Sequence, residues 1–241
     1  MGWRLINTDN TDPYYVTAAD EVISIARKEK KITNTIHFYR RDPAAVSVGR
    51  SRKIHDDVNV DECINNNVKI VRRTTGGGTI FTDKDCLIYS LVFDRKDEAL
   101  SSSKKIFENI CNSIVNSLKK CDIDTVYKPP NDILLNSKKI SGSAQILKEN
   151  IVMIHGTILI DTNLELMNKV LKQPKQSYVS TICRETSHTL SINDVKEILK
   201  KGFEENFDTC FEKTDLSTYE KELINKLLKE QYCNDAWNYM R

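Results

Sequence analysis

Arg72-Arg73-Thr74-Thr75-Gly76-Gly77-Gly78-Thr79-Ile80-Phe81-Thr82-Asp83 is the stretch on which the reading of this chain turns. It follows Val68 to Val71, an apolar run that reads as a strand. Three successive glycines give a main chain free to take positive φ, with no Cβ to hold a ligand off. Two arginines at the strand end supply permanent charge and planar donor forks that match phosphate or carboxylate oxygens. The stretch reads either as a loop that holds a small anion against the main chain or as a glycine-rich hairpin turn. It is not a Walker loop, since no Gly-Lys-Ser/Thr follows, and it lacks the Gly-x-Gly-x-x-Gly of a dinucleotide fold.

A second constellation downstream favours the anion-holding loop. Asn131-Asp132-Ile133-Leu134-Leu135 precedes Lys138-Lys139-Ile140-Ser141-Gly142-Ser143-Ala144-Gln145, and after a short turn comes Met153-Ile154-His155-Gly156-Thr157-Ile158-Leu159-Ile160. The order Arg-Arg-x-x-Gly-Gly-Gly, Asn-Asp, Lys-Ile-Ser-Gly-Ser-Ala, His-Gly-Thr-Ile-Leu resembles the lipoate-protein ligase A family, which is grouped with octanoyltransferases and biotin ligases. The resemblance runs from about Ala19-Asp20-Glu21 to the Trp237 region.

Composition is that of an ordinary soluble protein: 241 residues, 39% hydrophobic, 29% charged, net charge +2. So balanced a charge supplies no field for nucleic acid or an acidic membrane surface. Seven cysteines at 63, 86, 111, 121, 183, 210 and 233 form no Cys-x-x-Cys pair, which excludes a zinc ribbon or a secreted disulfide framework and predicts a cytoplasmic home. No apolar run approaches the roughly 18–20 residues of a spanning helix.

Periodicity predicts helices over Tyr15–Ala26, Val60–Asn66 and Ser102–Leu118, and two more beginning at the caps Ser191 and Ser217. Strands are expected at Ile36–Arg40, Ala45–Gly49, Ile88–Phe93, Ile133–Leu135, Lys139–Ile146 and Ile151–Ile160, the last two as a hairpin with Lys148-Glu149-Asn150 at its tip. The expected fold is α+β, with helices packed on a mostly antiparallel mixed sheet. The resemblance implies the same architecture. We expect one catalytic domain over 1–241, its helical C-terminal part at about 191–241, without the accessory C-terminal domain that many family members carry.

The resemblance implies ATP-dependent activation of lipoate, or octanoate, to an acyl-adenylate, then transfer to a lysine of a lipoyl carrier. The carriers would be the lipoyl domains of 2-oxoacid dehydrogenase E2 subunits or the glycine cleavage H protein. Two anions must meet, so fixed positive charge and main-chain donors are the physical need. Lys139 matches the family's lysine between acyl carbonyl and phosphate, and it is the expected catalytic residue. Lys138 competes with it, on the opposite face of the strand. Arg72, Arg73 and Gly76 to Gly78 are expected to wall the adenylate pocket, with Asn131 and Asp132 as the polar pair beside the nucleotide. Ser141, Gly142, Ala144 and His155 complete the expected lining, and Asp132 with Asp83 would hold Mg²⁺. At 82 the family usually has histidine before aspartate. Thr82 cannot carry charge, so any phosphate contact there would be weakened or supplied differently.

Two alternatives stay open. One is an octanoyltransferase forming an acyl-enzyme on Cys183, which Arg184, His188 or Lys139 would activate. The other is a non-catalytic half of a split ligase. Without the accessory domain, a separate small subunit is also expected to assist adenylation.

Overall fold

Asp12 opens the first helix: its carboxylate accepts the Tyr15 N–H at 2.8 Å, and Pro13 occupies the first turn, where a missing N–H costs nothing. The computed structural model describes residues 2–8, 11–98, 100, 102–172 and 178–240. Strand β1 (Trp3–Asn7) precedes that helix, α1 (Pro13–Lys28). Then follow β2 (Asn34–Tyr39), β3 (Ala45–Val48), α2 (Ile54–Asp57), α3 (Val60–Asn65), β4 (Lys69–Arg72), β5 (Ile80–Thr82) and β6 (Cys86–Asp94). The middle of the chain supplies α4 (Ser103–Lys119), β7 (Thr125–Lys128), β8 (Asp132–Leu135), β9 (Lys138–Lys148) and β10 (Ile151–Leu159). It closes with α5 (Leu164–Val170), α6 (Ile182–Glu185), α7 (Ile192–Asn206), β11 (Phe211–Lys213), α8 (Thr218–Leu227), a π-helical turn (Leu228–Tyr232) and α9 (Asp235–Asn238).

Eight strands form one sheet in the order β11-β1-β2-β6-β10-β9-β8-β7. Only the β1 pairings with β2 and β11 are parallel, so the α+β, mostly antiparallel expectation holds. Side-chain alternation divides the sheet's two faces. On β6, Leu87, Tyr89, Leu91 and Phe93 point to a core shared with Ile106, Ile110, Ile114 and Leu118 of α4 and Val195, Leu199 and Phe203 of α7. Each such fully buried aliphatic chain is worth about 1.5–3 kcal/mol. On the other face, Val92, Ile151 and Met153 meet Ala19, Val22 and Ile23 of α1, Ile224 of α8 and Val71 of β4. A smaller sheet, ordered β4-β3-β5, stands beside that second face.

The predicted strands at Ile36–Arg40 and Ala45–Gly49 do not stay together. β2 enters the large sheet and β3 the small one. The chain passes from the large sheet to the small one at Arg41-Asp42-Pro43. Strands β1, β7 and β11 escape the periodicity reading. In β1 a buried arginine, Arg4, breaks the apolar run, while β7 has four residues and β11 three. Both predicted C-terminal caps are present as reciprocal capping boxes, Ser191 with Asp194 and Ser217 with Glu220. Glu220 also receives the buried Arg4 guanidinium, which ties α8 to β1. No helix among the described residues is long and apolar enough to cross a membrane.

Candidate active site

The glycine loop is held from behind by its own arginine. Arg73, 5% exposed, donates from Nη2 to Gly76 O (2.8 Å) and Gly78 O (2.7 Å), from Nη1 to Ser47 O (2.8 Å) and from Nε to Thr75 Oγ1 (3.0 Å). Burial, and then the neighbouring Arg41 charge, lower its pKa to about 10. Of the three glycines only Gly77 has positive φ, +91°, and only there would a Cβ meet close neighbours, Arg73 Nη2 at 3.0 Å and Ala144 Cβ at 3.5 Å. Gly76 and Gly78 face open space, which leaves their main chain accessible to a ligand. Behind the loop, a Cβ on Gly49 would fall 2.2 Å from Gly77 O, so the turn rests directly on that backbone.

Arg72 plays a different part from the one expected. It is fully buried and lines neither cavity described below. Its Nη1 reaches Gly49 O (3.0 Å) and Arg52 O (2.8 Å), and its Nη2 reaches Met240 O (2.6 Å). Its main chain is clasped by Asn238 Oδ1 (3.0 Å to the N–H) and Trp237 Nε1 (2.9 Å to the carbonyl). The guanidinium thus stitches the C-terminal segment to the small sheet.

Two adjoining cavities meet at Lys139. The first, about 850 Å³ of space open at its mouth, lies over the second sheet face between Arg41 and Lys139. Arg73, Gly77, Gly78, Asn131, Gly142, Ala144 and His155 contribute to its walls. The second lies beyond Lys139, among Phe81, Lys128, Asp132, Met167, Leu171, Tyr178 and Val179. Lys139 and Gly142 belong to both. The Lys139 ammonium pairs with Asp132 Oδ1 at 2.7 Å and lies over Gly142, where a Cβ would come within 2.7 Å of its Cε and Nζ. Lys138 faces elsewhere, its ammonium 2.8 Å from Glu185 Oε1. Asn131 braces β9 by donating to Ser143 O and accepting the Ser143 N–H at 3.0 Å.

Besides Arg72, four expected positions lie off the cavities, the first being Gly76 at the start of the glycine loop. Ser141 is buried and lines neither. Thr82 is fully buried behind the wall, accepting from Arg41 Nη1 (3.1 Å) and donating to Ala45 O (3.3 Å). Asp83 caps a turn: its two oxygens accept the N–H groups of Asp85 (3.1 Å) and Asn163 (2.8 Å), and burial raises its pKa. It lines neither cavity, so it does not join Asp132 in a carboxylate pair, and no group of three His, Cys, Asp or Glu suited to a metal occurs among the described residues. The residues present do not form a resident Mg²⁺ site.

A profile of the lipoyl protein ligase A/B catalytic domain matches residues 12–204. The chain belongs to that family. The chain is 27% identical to the octanoyltransferase LipM of Clostridioides difficile, over 99% of both proteins. Two solved structures superpose closely. Lipoate-protein ligase A bound with ATP gives a TM-score of 0.86 at 26% identity over 99% of each chain, and T. acidophilum Ta0514 with bound lipoic acid gives 0.86 at 25% over 99% of each. The protein is an enzyme of the lipoate ligase and octanoyltransferase family.

In this family member, motif reading passed over a buried polar network beneath the cleft. Asp20 of α1, 3% exposed, accepts from His155 Nδ1 (2.9 Å), His37 Nδ1 (3.0 Å) and Tyr39 Oη (3.0 Å). Burial alone would raise its pKa, but the hydrogen bonds from His155 and then His37 outweigh that and hold the carboxyl below its ordinary range. Arg73 Nε can only donate to Thr75 Oγ1, so the Thr75 proton is free for His155 Nε2 at 2.8 Å. The contacts Arg73–Thr75–His155–Asp20 fasten the glycine loop to α1. The signal was present in the sequence as Ala19-Asp20-Glu21, yet a lone aspartate in a helix announces no partner 135 residues away.

Proposed function

We propose that the chain is an AMP-forming lipoate-protein ligase, activating lipoate or octanoate with ATP and passing the acyl group to a lysine of a lipoyl domain. The observation that carries this reading is Lys139 standing where two cavities meet, neither of which any described cysteine lines. An acyl chain suits the first cavity, where Ile80, Ile88, Ala144 and Met153 supply apolar wall. A nucleotide suits the second, its base among Met167, Leu171, Val179 and Tyr178, with Lys128 as a cation nearby. The anhydride between them then falls at Lys139, whose three donors can follow charge from acyl carbonyl to phosphate as the bond to AMP breaks. Main-chain N–H groups around Gly76 to Gly78 would add fixed dipoles. The resident-metal role expected of Asp83 is not carried forward, and Mg²⁺ enters only as the counter-ion of ATP. The acceptors would be E2 lipoyl domains or the glycine cleavage H protein, and a small accessory subunit would close the cleft during adenylation.

The name of the LipM relative favours a second reading, octanoyl transfer through a cysteine. Cys183 lines a separate cavity with Thr8, Asp85, Asp161 and Leu190, so no described contact links its thiol to Lys139. The two readings part in one experiment: the chain with lipoate, ATP, Mg²⁺ and a lipoyl domain, followed by mass spectrometry. Ligation predicts lipoyl on the acceptor, one AMP per transfer and no acyl on any cysteine. Transfer from an octanoyl carrier thioester without ATP, with an octanoyl-cysteine adduct, would replace it.

A further inference from the structure

Three glycines in succession make a loop that is costly to order, because glycine loses more freedom on folding than any other residue. Its entry is pinned at Thr75, held between Arg73 Nε and His155 Nε2. Its exit is pinned at Thr79, whose hydroxyl donates to Asp57 Oδ2 at 2.5 Å. Asp57 closes α2, is fully buried and lines neither active-site cavity. The same carboxylate takes the fork of Arg52, through Nε at 2.7 Å and through Nη2. Arg52 O in turn receives Arg72 Nη1 at 2.8 Å. A carboxylate set against a guanidinium gives Thr79 a charge-assisted hydrogen bond, roughly twice as strong as a neutral one.

Asp57 also grips a second wall. Its carbonyl accepts the Lys172 N–H at 2.9 Å, and the Asn59 N–H reaches Val170 O at 2.8 Å. Between these two bonds, Val58 and Leu171 form an antiparallel bridge. Leu171 lines the second cavity, and so does Thr79. One residue therefore ties two sides of that cavity together, the glycine loop through its side chain and the end of α5 through its main chain. The acyl cavity is framed by other contacts, those of Arg73, Thr75 and His155.

We infer that Asp57 is a positioning residue for the nucleotide. Acting through Thr79, it holds the exit of the glycine loop at a fixed spacing from the Leu171 wall, so the second cavity is shaped before ATP arrives. A site ordered in advance binds more tightly, because the ordering cost is removed from the binding step. The inference rests on the proposed function for the identity of its ligand.

The test measures binding of ATP with Mg²⁺ and, separately, of lipoic acid to the full chain by calorimetry. Thr79→Val removes the donor and leaves the Asp57–Arg52 pair in place, so the fold should hold, with the urea midpoint as the check. ATP is expected to bind about tenfold more weakly, the scale of one lost hydrogen bond to a charged acceptor, while lipoic acid stays within about threefold of wild type. Thr79→Ser keeps the hydroxyl and should bring ATP affinity back to within about threefold of wild type. Asp57→Asn has one amide oxygen for two partners, so it should weaken ATP binding in the same way. The two changes combined should cost no more than either alone, since both break one link. A residue that merely supports the fold would weaken both ligands together. Equal losses for ATP and lipoic acid in Thr79→Val overturn the inference, as do wild-type ATP affinity there, additive losses in the double variant, or a serine variant no better than valine. The Thr79 comparisons stand even where Asp57→Asn does not fold. Wild type that binds lipoic acid but not ATP overturns the proposed function, and this inference with it, a result that needs no variant.

Discussion

Gly142→Ala should separate the position of the Lys139 ammonium from its presence. A methyl at 142 would fall 2.7 Å from both Cε and Nζ, and ordinary contact begins near 3.4 Å, so the lysine end must retreat by about 0.7 Å. What yields is the tip of a flexible side chain, and the next neighbour, Asp132 Oδ1, is already at 3.4 Å. The fold should therefore survive, with a stability change below about 1 kcal/mol, close to what a surface substitution costs. Catalysis should not. Displacing a catalytic group by about 1 Å can cost about 10²-fold, and losing a donor to a developing oxyanion about 10²–10³-fold. Acyl transfer from preformed lipoyl-AMP is the assay, with urea denaturation run on the same preparation. The expected result is a 10- to 100-fold loss in kcat, by that positional estimate, with an unchanged denaturation midpoint. Wild-type turnover in Gly142→Ala would refute the claim that the ammonium works from its place over Gly142. So would a collapse in stability, since the alanine would then be acting on the fold.

Within the glycine loop, Gly77→Ala should lose about 1–2 kcal/mol from its left-handed φ, whereas Gly76→Ala and Gly78→Ala, with nothing within 4 Å, should stay within about 0.5 kcal/mol; thermal denaturation of the three ranks them. Asp20→Asn should lower stability at pH 7 by about 1–3 kcal/mol, since one amide oxygen cannot accept from both histidines and Tyr39 and a buried donor is left unpaired. Because the folded pKa of Asp20 is depressed, its contribution is present above the ordinary carboxylate pKa of about 4 and is lost as pH falls below it. Wild-type urea midpoints should thus drop between pH 5 and pH 3 more steeply than those of Asp20→Asn. Cys183→Ala should retain most ligase activity, and intact-mass spectra of wild type should show no acylated Cys183; an adduct there would transfer the chemistry to the cysteine.

The sequence resolved α4 by its one-faced stripe, and β2, β3, β6 and β10 as apolar runs that turn out to be buried on both faces. The α4 stripe from Ile106 to Leu118 and the hairpin from Lys139 to Ile160 fall where alternation puts them. β1 was passed over because Arg4, buried against Glu220, interrupts its apolar run. At the site, the linear motif located Lys139, Asn131, Gly77 and Ala144 around one cavity, because each sits at a turn or strand whose local sequence is distinctive. It misassigned Arg72, whose partners are carbonyls at Gly49, Arg52 and Met240. An arginine beside a glycine loop reads as anion-binding unless the C-terminal segment that claims it is in view. Asp83 was misread for a similar reason, its carboxylate being consumed by main-chain N–H groups supplied partly by Asn163. Asp20 was missed because its contacts arise only when α1, β2 and β10 converge.

The most direct measurement is single-turnover transfer from preformed lipoyl-AMP to a lipoyl domain by the full chain and by Lys139→Ala. This bypasses any partner needed for adenylation and asks only whether the anhydride is used at the junction of the two cavities. The account predicts rapid lipoyl transfer by wild type, AMP released in equal amount, and a rate about 10²–10³-fold lower without the lysine. Wild type inert toward lipoyl-AMP yet active with an octanoyl carrier thioester would contradict it, as would a Lys139→Ala variant that transfers at the wild-type rate.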